Sequence, residues 1–191
     1  MNFDLASRCV RFSDLVAATT LTDPTHNLLD LETGIGEIVQ VLRNLSATRS
    51  KLYIIGNGGS AAIAAHAVTD FVNTAGISAL TLHDASVLTC MTNDYGYETA
   101  FARMITVHAN RNDMLIAISS SGRSKNIRNA VEAAHDRGAG VITLSGFDAD
   151  NPLRGMGKYN FWLDAHDYGL VEIGHQFILH NLSDRIATHR R

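Results

Sequence analysis

The sequence predicts an α/β fold: a three-layer, doubly wound domain built on a parallel five-stranded sheet, with extra helices at its N-terminus. Three observations carry that expectation. From residue 51 onward, short apolar runs alternate with stretches of helical periodicity, the pattern of βαβ units. The runs are continuously apolar rather than alternating, as strands covered on both faces must be. Two of the strand-to-helix joints are rich in Gly and Ser, at the sheet end where doubly wound folds bind their ligands.

The elements follow in order. Residues 1–18 carry Phe3, Leu5, Val10, Phe12, Leu15 and Val16 at helical spacing, which predicts a first helix. Thr22-Asp23-Pro24 punctuates the chain, and Leu28, Leu31, Ile35, Ile38, Val39, Leu42 and Leu45 predict a second helix over 28–45. Residues 1–48 therefore read as an N-terminal helical segment, packed on a core domain over 49–191. Strands are expected at 51–55, 78–82, 112–119, 140–144 and 159–163. Helices are expected behind the first strand to about Asn73, over 125–137, and over 169–189.

Composition narrows the function classes. With 191 residues, 46% hydrophobic and 18% charged, the chain can bury a real core and shows no disorder signature. A net charge of −3 lacks the basic field of a nucleic-acid binder. No stretch approaches the ~18 apolar residues of a membrane span, and Asp4 and Arg8 interrupt any signal-peptide pattern. The expectation is a cytoplasmic protein. Cys9 and Cys90 lie far apart outside any CxxC pair and are expected to be buried reduced thiols.

The first unusual joint is Gly56-Asn57-Gly58-Gly59-Ser60. Glycines let backbone amides approach a ligand, and a helix N-terminus attracts negative charge. A plain glycine turn with a capping serine accounts for this joint equally well. The second joint, Ser119-Ser120-Ser121-Gly122-Arg123-Ser124, places four hydroxyls around a glycine before another helix. Helix capping explains one of them, Ser124. Hydroxyls, amides and a helix dipole together can hold a phosphate without lysine. Neither the G-x-x-x-x-G-K-[ST] nor the G-x-G-x-x-G pattern is satisfied.

His66 and Asp70 lie four residues apart on one helix, and Glu172, Gln176 and His180 repeat that spacing on another. Residues at this spacing share a helix face, which brings imidazoles and carboxylates together for acid–base work or metal capture. A buried core histidine and solvated carboxylates are the alternative.

The two joints, together with Asn93-Asp94-Tyr95-Gly96, give the chain its resemblance to the phosphoheptose isomerases of the SIS (sugar isomerase) superfamily. The similarity runs from about residue 28 to 188 in consistent order. It implies a homotetramer that isomerises sedoheptulose 7-phosphate through an enediol. Asn57, Gly58, Gly59, Ser60, Ser119, Ser120, Ser121 and Ser124 would then hold the phosphate and sugar, with Asn93, Asp94 and Glu172 on the sugar. The resemblance further implies zinc at His66, Asp70, Glu172 and His180, and proton transfer by Asp70 and His180. Asp70 stands where the family has Glu and Glu172 where it has Gln. The family's arginine-bearing segment after position 70 is missing here; Arg123, inside the serine loop, could replace that charge, although a merely exposed arginine is the simpler reading. The non-catalytic DiaA branch, which holds a replication initiator, shares the fold and is the rival reading.

Overall fold

The structure, a computed structural model, describes residues 4–187. It opens with α1 (Leu5–Ala17), whose N-cap Asp4 accepts a hydrogen bond from the Ser7 amide. Next comes a feature the sequence reading did not anticipate. Strands β1 (Thr20–Thr22) and β2 (Leu28–Leu29) form an antiparallel hairpin. The Thr22-Asp23-Pro24 punctuation is its loop, in which the Asp23 carboxylate accepts from the amides and side chains of Thr25 and Asn27. Leu28 and Leu29, expected in the second helix, belong to the hairpin. Helix α2 (Leu31–Thr48) starts only at Leu31, capped by Asp30.

The remaining elements alternate: β3 (Lys51–Ile55), α3 (Gly59–Asn73), β4 (Ser78–Leu80), α4 (Ala85–Tyr95), α5 (Tyr97–His108), β5 (Met114–Ser119), α6 (Lys125–Asp136), β6 (Gly140–Gly146), β7 (Tyr159–Leu163) and α7 (Tyr168–Ala187). Sheet order is β2-β1-β7-β6-β5-β3-β4. The five expected strands are the parallel core, and the hairpin joins β7 antiparallel. The fold class stands, and among the described residues the sheet has seven strands. Strands of three and two residues are too short to show a period, which is why the hairpin escaped notice. The outer ends expected for the first and last helices, Met1 and His189, lie outside the described residues.

Both faces of the sheet are covered. Leu52, Ile54, Ile116 and Ile118 point into a core shared with α2, α3 and α7. Their neighbours Tyr53, Ile55, Leu115 and Ala117 point into a second core under α5 and α6. Successive side chains on a strand face opposite ways, so two-sided burial demands unbroken apolar runs. Neither cysteine is buried as expected: Cys9 and Cys90 are exposed, on α1 and α4. Among the described residues, no helix is long and apolar enough to cross a membrane.

Candidate active site

The two Gly/Ser joints meet beyond the carboxyl ends of β3 and β5 and enclose a cavity of about 270 Å³. Asn57, Gly58, Gly59, Ser60, Ser119, Ser120, Ser121 and Ser124 all line it, together with Ile118, Tyr168 and Glu172. Helices α1, α2 and α4 are each capped by an aspartate side chain. By contrast, α3 and α6 begin at the cavity with no side-chain cap, at Gly58 and Ser124. The Ser124 hydroxyl is thus not consumed by capping, and the positive ends of two helices face the cavity. Ser120 is 3% exposed, and its Oγ has no partner within the protein. A buried hydroxyl needs a partner, which an ordered water or a ligand oxygen can supply.

The serine loop is held rigidly from behind. Asn151, itself buried, donates to the carbonyls of Ser120 (2.9 Å) and Gly146 (2.8 Å). Gly122 has a φ of +64°, and any Cβ there would collide with the Asn151 amide. On the other joint, His83 bonds the Gly56 carbonyl through Nε2 at 3.0 Å, and burial lowers its pKa below the usual imidazole value. Arg123 stays exposed and paired with Asp148 at 3.2 Å, so among the described residues no cation lines the cavity.

From the cavity, a half-buried stripe of Glu172, Gln176 and His180 runs along α7. The Gln176 Nε2 is buried without a partner. At the far end, Asp70 Oδ2 lies 3.1 Å from His180 Nδ1 and 3.6 Å from His66 Nε2. That oxygen is buried and meets the geometry of no hydrogen bond. Ligand atoms of His66, Asp70 and His180 all fall within 4.8 Å of one another, so the shorter aspartate still reaches both imidazoles. Glu172 does not join them. It precedes His180 by two turns, ~12 Å along the axis, and its carboxylate rests where a Cβ on Gly59 would meet it at 2.5 Å. Of the four residues expected as ligands, three are brought together among the described residues, and Glu172 lines the cavity instead.

The SIS domain model matches residues 25–146. The phosphoheptose isomerase of Helicobacter pylori (strain P12) is 34% identical over 85% of this chain and 88% of its own. The chain belongs to the phosphoheptose isomerase family. Among solved structures, the Francisella tularensis phosphoheptose isomerase superposes with a TM-score of 0.81 at 26% identity, covering 95% of this chain and 94% of the other. The isomerase from Neisseria gonorrhoeae gives 0.77 at 25% identity with the same coverage.

Within this phosphoheptose isomerase fold, the Asn93-Asp94 pair behaves differently from expectation. Both residues lie at the end of α4, where Asn93 bonds Asp94 and Cys90 approaches it. Neither lines the cavity. The residue that reaches in from this region is Tyr97, whose hydroxyl donates to Asn57 Oδ1 at 2.7 Å. Asn126, also missed, pairs with Asn57. Both bonds span tens of residues, and nothing in the local sequence announces them. His175, on the buried face of α7, bonds the Ser145 carbonyl at 3.0 Å. Complete burial pushes its pKa down to about 4.

Proposed function

We propose that this phosphosugar isomerase interconverts sedoheptulose 7-phosphate and an aldoheptose 7-phosphate through an enediol. The observation that carries the reading is the length of the site. The anion cradle and the His66–Asp70–His180 cluster sit at opposite ends of one stripe, ~12 Å apart along α7. An open-chain seven-carbon sugar phosphate extends roughly 10 Å from phosphorus to C1, at the ~1.2 Å per bond of an extended chain. Phosphate in the cradle therefore delivers C1 and C2 to the cluster, with Glu172 and Gln176 beside the intervening hydroxyls.

In the ketose-to-aldose direction, a base removes a proton from C1 and the C2 carbonyl oxygen takes one up, giving the enediol. Protonation of C2 with loss of the O1 proton then yields the aldose. Asp70 suits the carbon proton, because its Oδ2 lacks a hydrogen-bond partner. His180 suits the oxygen protons, because an imidazole ring can both donate and accept a hydrogen bond. Two imidazoles and a carboxylate whose ligand atoms lie within 4.8 Å of one another also fit zinc. Zinc, when bound there, supplies Lewis-acid polarisation of O1 and O2.

Helices α1 and α7 leave Leu5, Val10, Ile173 and Phe177 exposed, and the catalytic cluster lies at the surface. A homotetramer that packs the N-terminal segment 1–48 against neighbouring copies would cover both. Sedimentation showing only a 20.7 kDa species at micromolar concentration would overturn the assembly. The phosphorylated substrate and two exposed, unpaired cysteines suit a reducing cytoplasm. The DiaA-type holding role is not favoured, since it has no need of a converged His66–Asp70–His180 cluster. Incubation with sedoheptulose 7-phosphate, followed by NMR, tests the activity: an aldose anomeric signal is expected, and its absence across C5–C8 ketose phosphates refutes it.

A further inference from the structure

We infer that Asn126 is a positioning residue that aims Asn57 into the phosphosugar site, with Tyr97 holding the aim from the opposite side. The inference rests on the isomerase reading above for its substrate, though not for its geometry. Asn126 is the second residue of α6, immediately behind the serine loop, and is 3% exposed. Its Nδ2 donates to Asn57 Oδ1 at 2.8 Å, while Asn57 Nδ2 donates to Asn126 Oδ1 at 2.9 Å. Tyr97 Oη adds a third bond, to Asn57 Oδ1, at 2.7 Å.

A primary amide offers two N–H donors and one carbonyl oxygen with two lone pairs. Both lone pairs of Asn57 are therefore taken, along with one N–H. These bonds leave over a single N–H, on an amide fixed by three bonds in a residue that lines the cavity. This fits an acceptor on the ligand, either a phosphate oxygen or a sugar oxygen. The amide pair also joins the glycine loop after β3 to the serine loop after β5. The two halves of the cradle thus move as one body, and a wrongly spaced cradle loses affinity even when every donor is present.

A double-mutant cycle tests this, because a residue that acts through another loses its effect when that other is gone. Asn126→Ala should raise the KM for sedoheptulose 7-phosphate at least tenfold and change kcat less than threefold. In an Asn57→Ala background the same substitution should change KM less than twofold. Tyr97→Phe removes one hydroxyl from an exposed ring; it should raise KM about threefold and fall silent in the same background. It keeps the test open if Asn126→Ala fails to fold. Additive effects in both cycles, or a loss confined to kcat, would overturn the inference. If the wild type isomerises no ketose phosphate, the activity reading fails by itself. The cycles are then read from the calorimetric Kd of inorganic phosphate, where coupling supports the inference and additivity, or no phosphate binding at all, defeats it.

Discussion

The two ends of the groove between α3 and α7 are built on opposite plans. At the cavity end, backbone and hydroxyl groups are fixed by neighbours outside the cavity lining: Asn151 behind the serine loop, His83 behind the glycine loop, Asn126 between them. At the other end, three titratable side chains stand close together with their surroundings half open. His66 and His180 are 56% and 42% exposed, and their rings meet edge to face at 5.0 Å. Rigid dipoles bind an anion at low reorganisation cost, whereas groups that carry protons must change charge and partner during the reaction. On the function proposed above, binding and chemistry would be separated along one pair of helices.

Breaking the chemical end should produce the larger loss. Asp70→Asn and His180→Gln are each expected to lower turnover at least ~10²-fold, the usual contribution of a general acid or base. Both nearly preserve shape at partly exposed positions, so melting temperatures should barely move. Unaltered turnover in either variant would move the proton transfer elsewhere. At the binding end, Ser121→Ala and Ser124→Ala should each cost ~1.5–3 kcal/mol in phosphosugar affinity, the value of a hydrogen bond to a charged group. Calorimetric titration that finds wild-type affinity in both would remove the phosphate from this cradle.

The same contrast explains what could be seen in the sequence. Strands β3, β5, β6 and β7 were legible because two-sided burial imposes unbroken apolar runs, as in Met114 to Ser119. The cradle was legible because every lining serine belongs to one of two contiguous loops. His66 with Asp70, and Glu172 with His180, were visible through helical spacing alone. Spacing could not say that Glu172 folds back over Gly59 instead of joining His180. Asn126 and Tyr97 were invisible, because their role is a contact with Asn57 made 69 and 40 positions away. The β1–β2 hairpin was hidden by its brevity.

A smaller effect sharpens the chemical end further. If His66, Asp70 and His180 form a zinc site, the protein should bind about one zinc per chain. His66→Ala should weaken that binding at least tenfold, a loss of about 1.4 kcal/mol. Competition with a chromogenic chelator reads the affinity directly, without reference to turnover. Equal affinity in wild type and variant would leave the cluster to direct proton transfer. Glu172→Gln is the paired control. Its carboxylate lies at the cavity, so zinc affinity should stay within threefold of wild type.

The smallest effect compares two imidazoles of the same helix. His180 is half exposed, while His175, five positions earlier, is wholly buried and bonded to the Ser145 carbonyl. Burial lowers the His175 pKa from 6.5 to about 4, so the folded protein refuses a proton that the unfolded chain accepts. Its contribution to stability is therefore complete above the unfolded value near 6.5 and declines as pH falls from there toward about 4. Between pH 7.5 and 6.0 the expected loss is about 1 kcal/mol. The chain holds nine histidines, so the measurement is the difference between wild type and His175→Asn in urea unfolding at both pH values. Asparagine does not titrate and can still donate toward Ser145, so the variant should start less stable but lose about 1 kcal/mol less on acidification. Parallel losses in the two proteins would show that the pH sensitivity arises elsewhere, and that His175 is not the buried neutral imidazole its surroundings require.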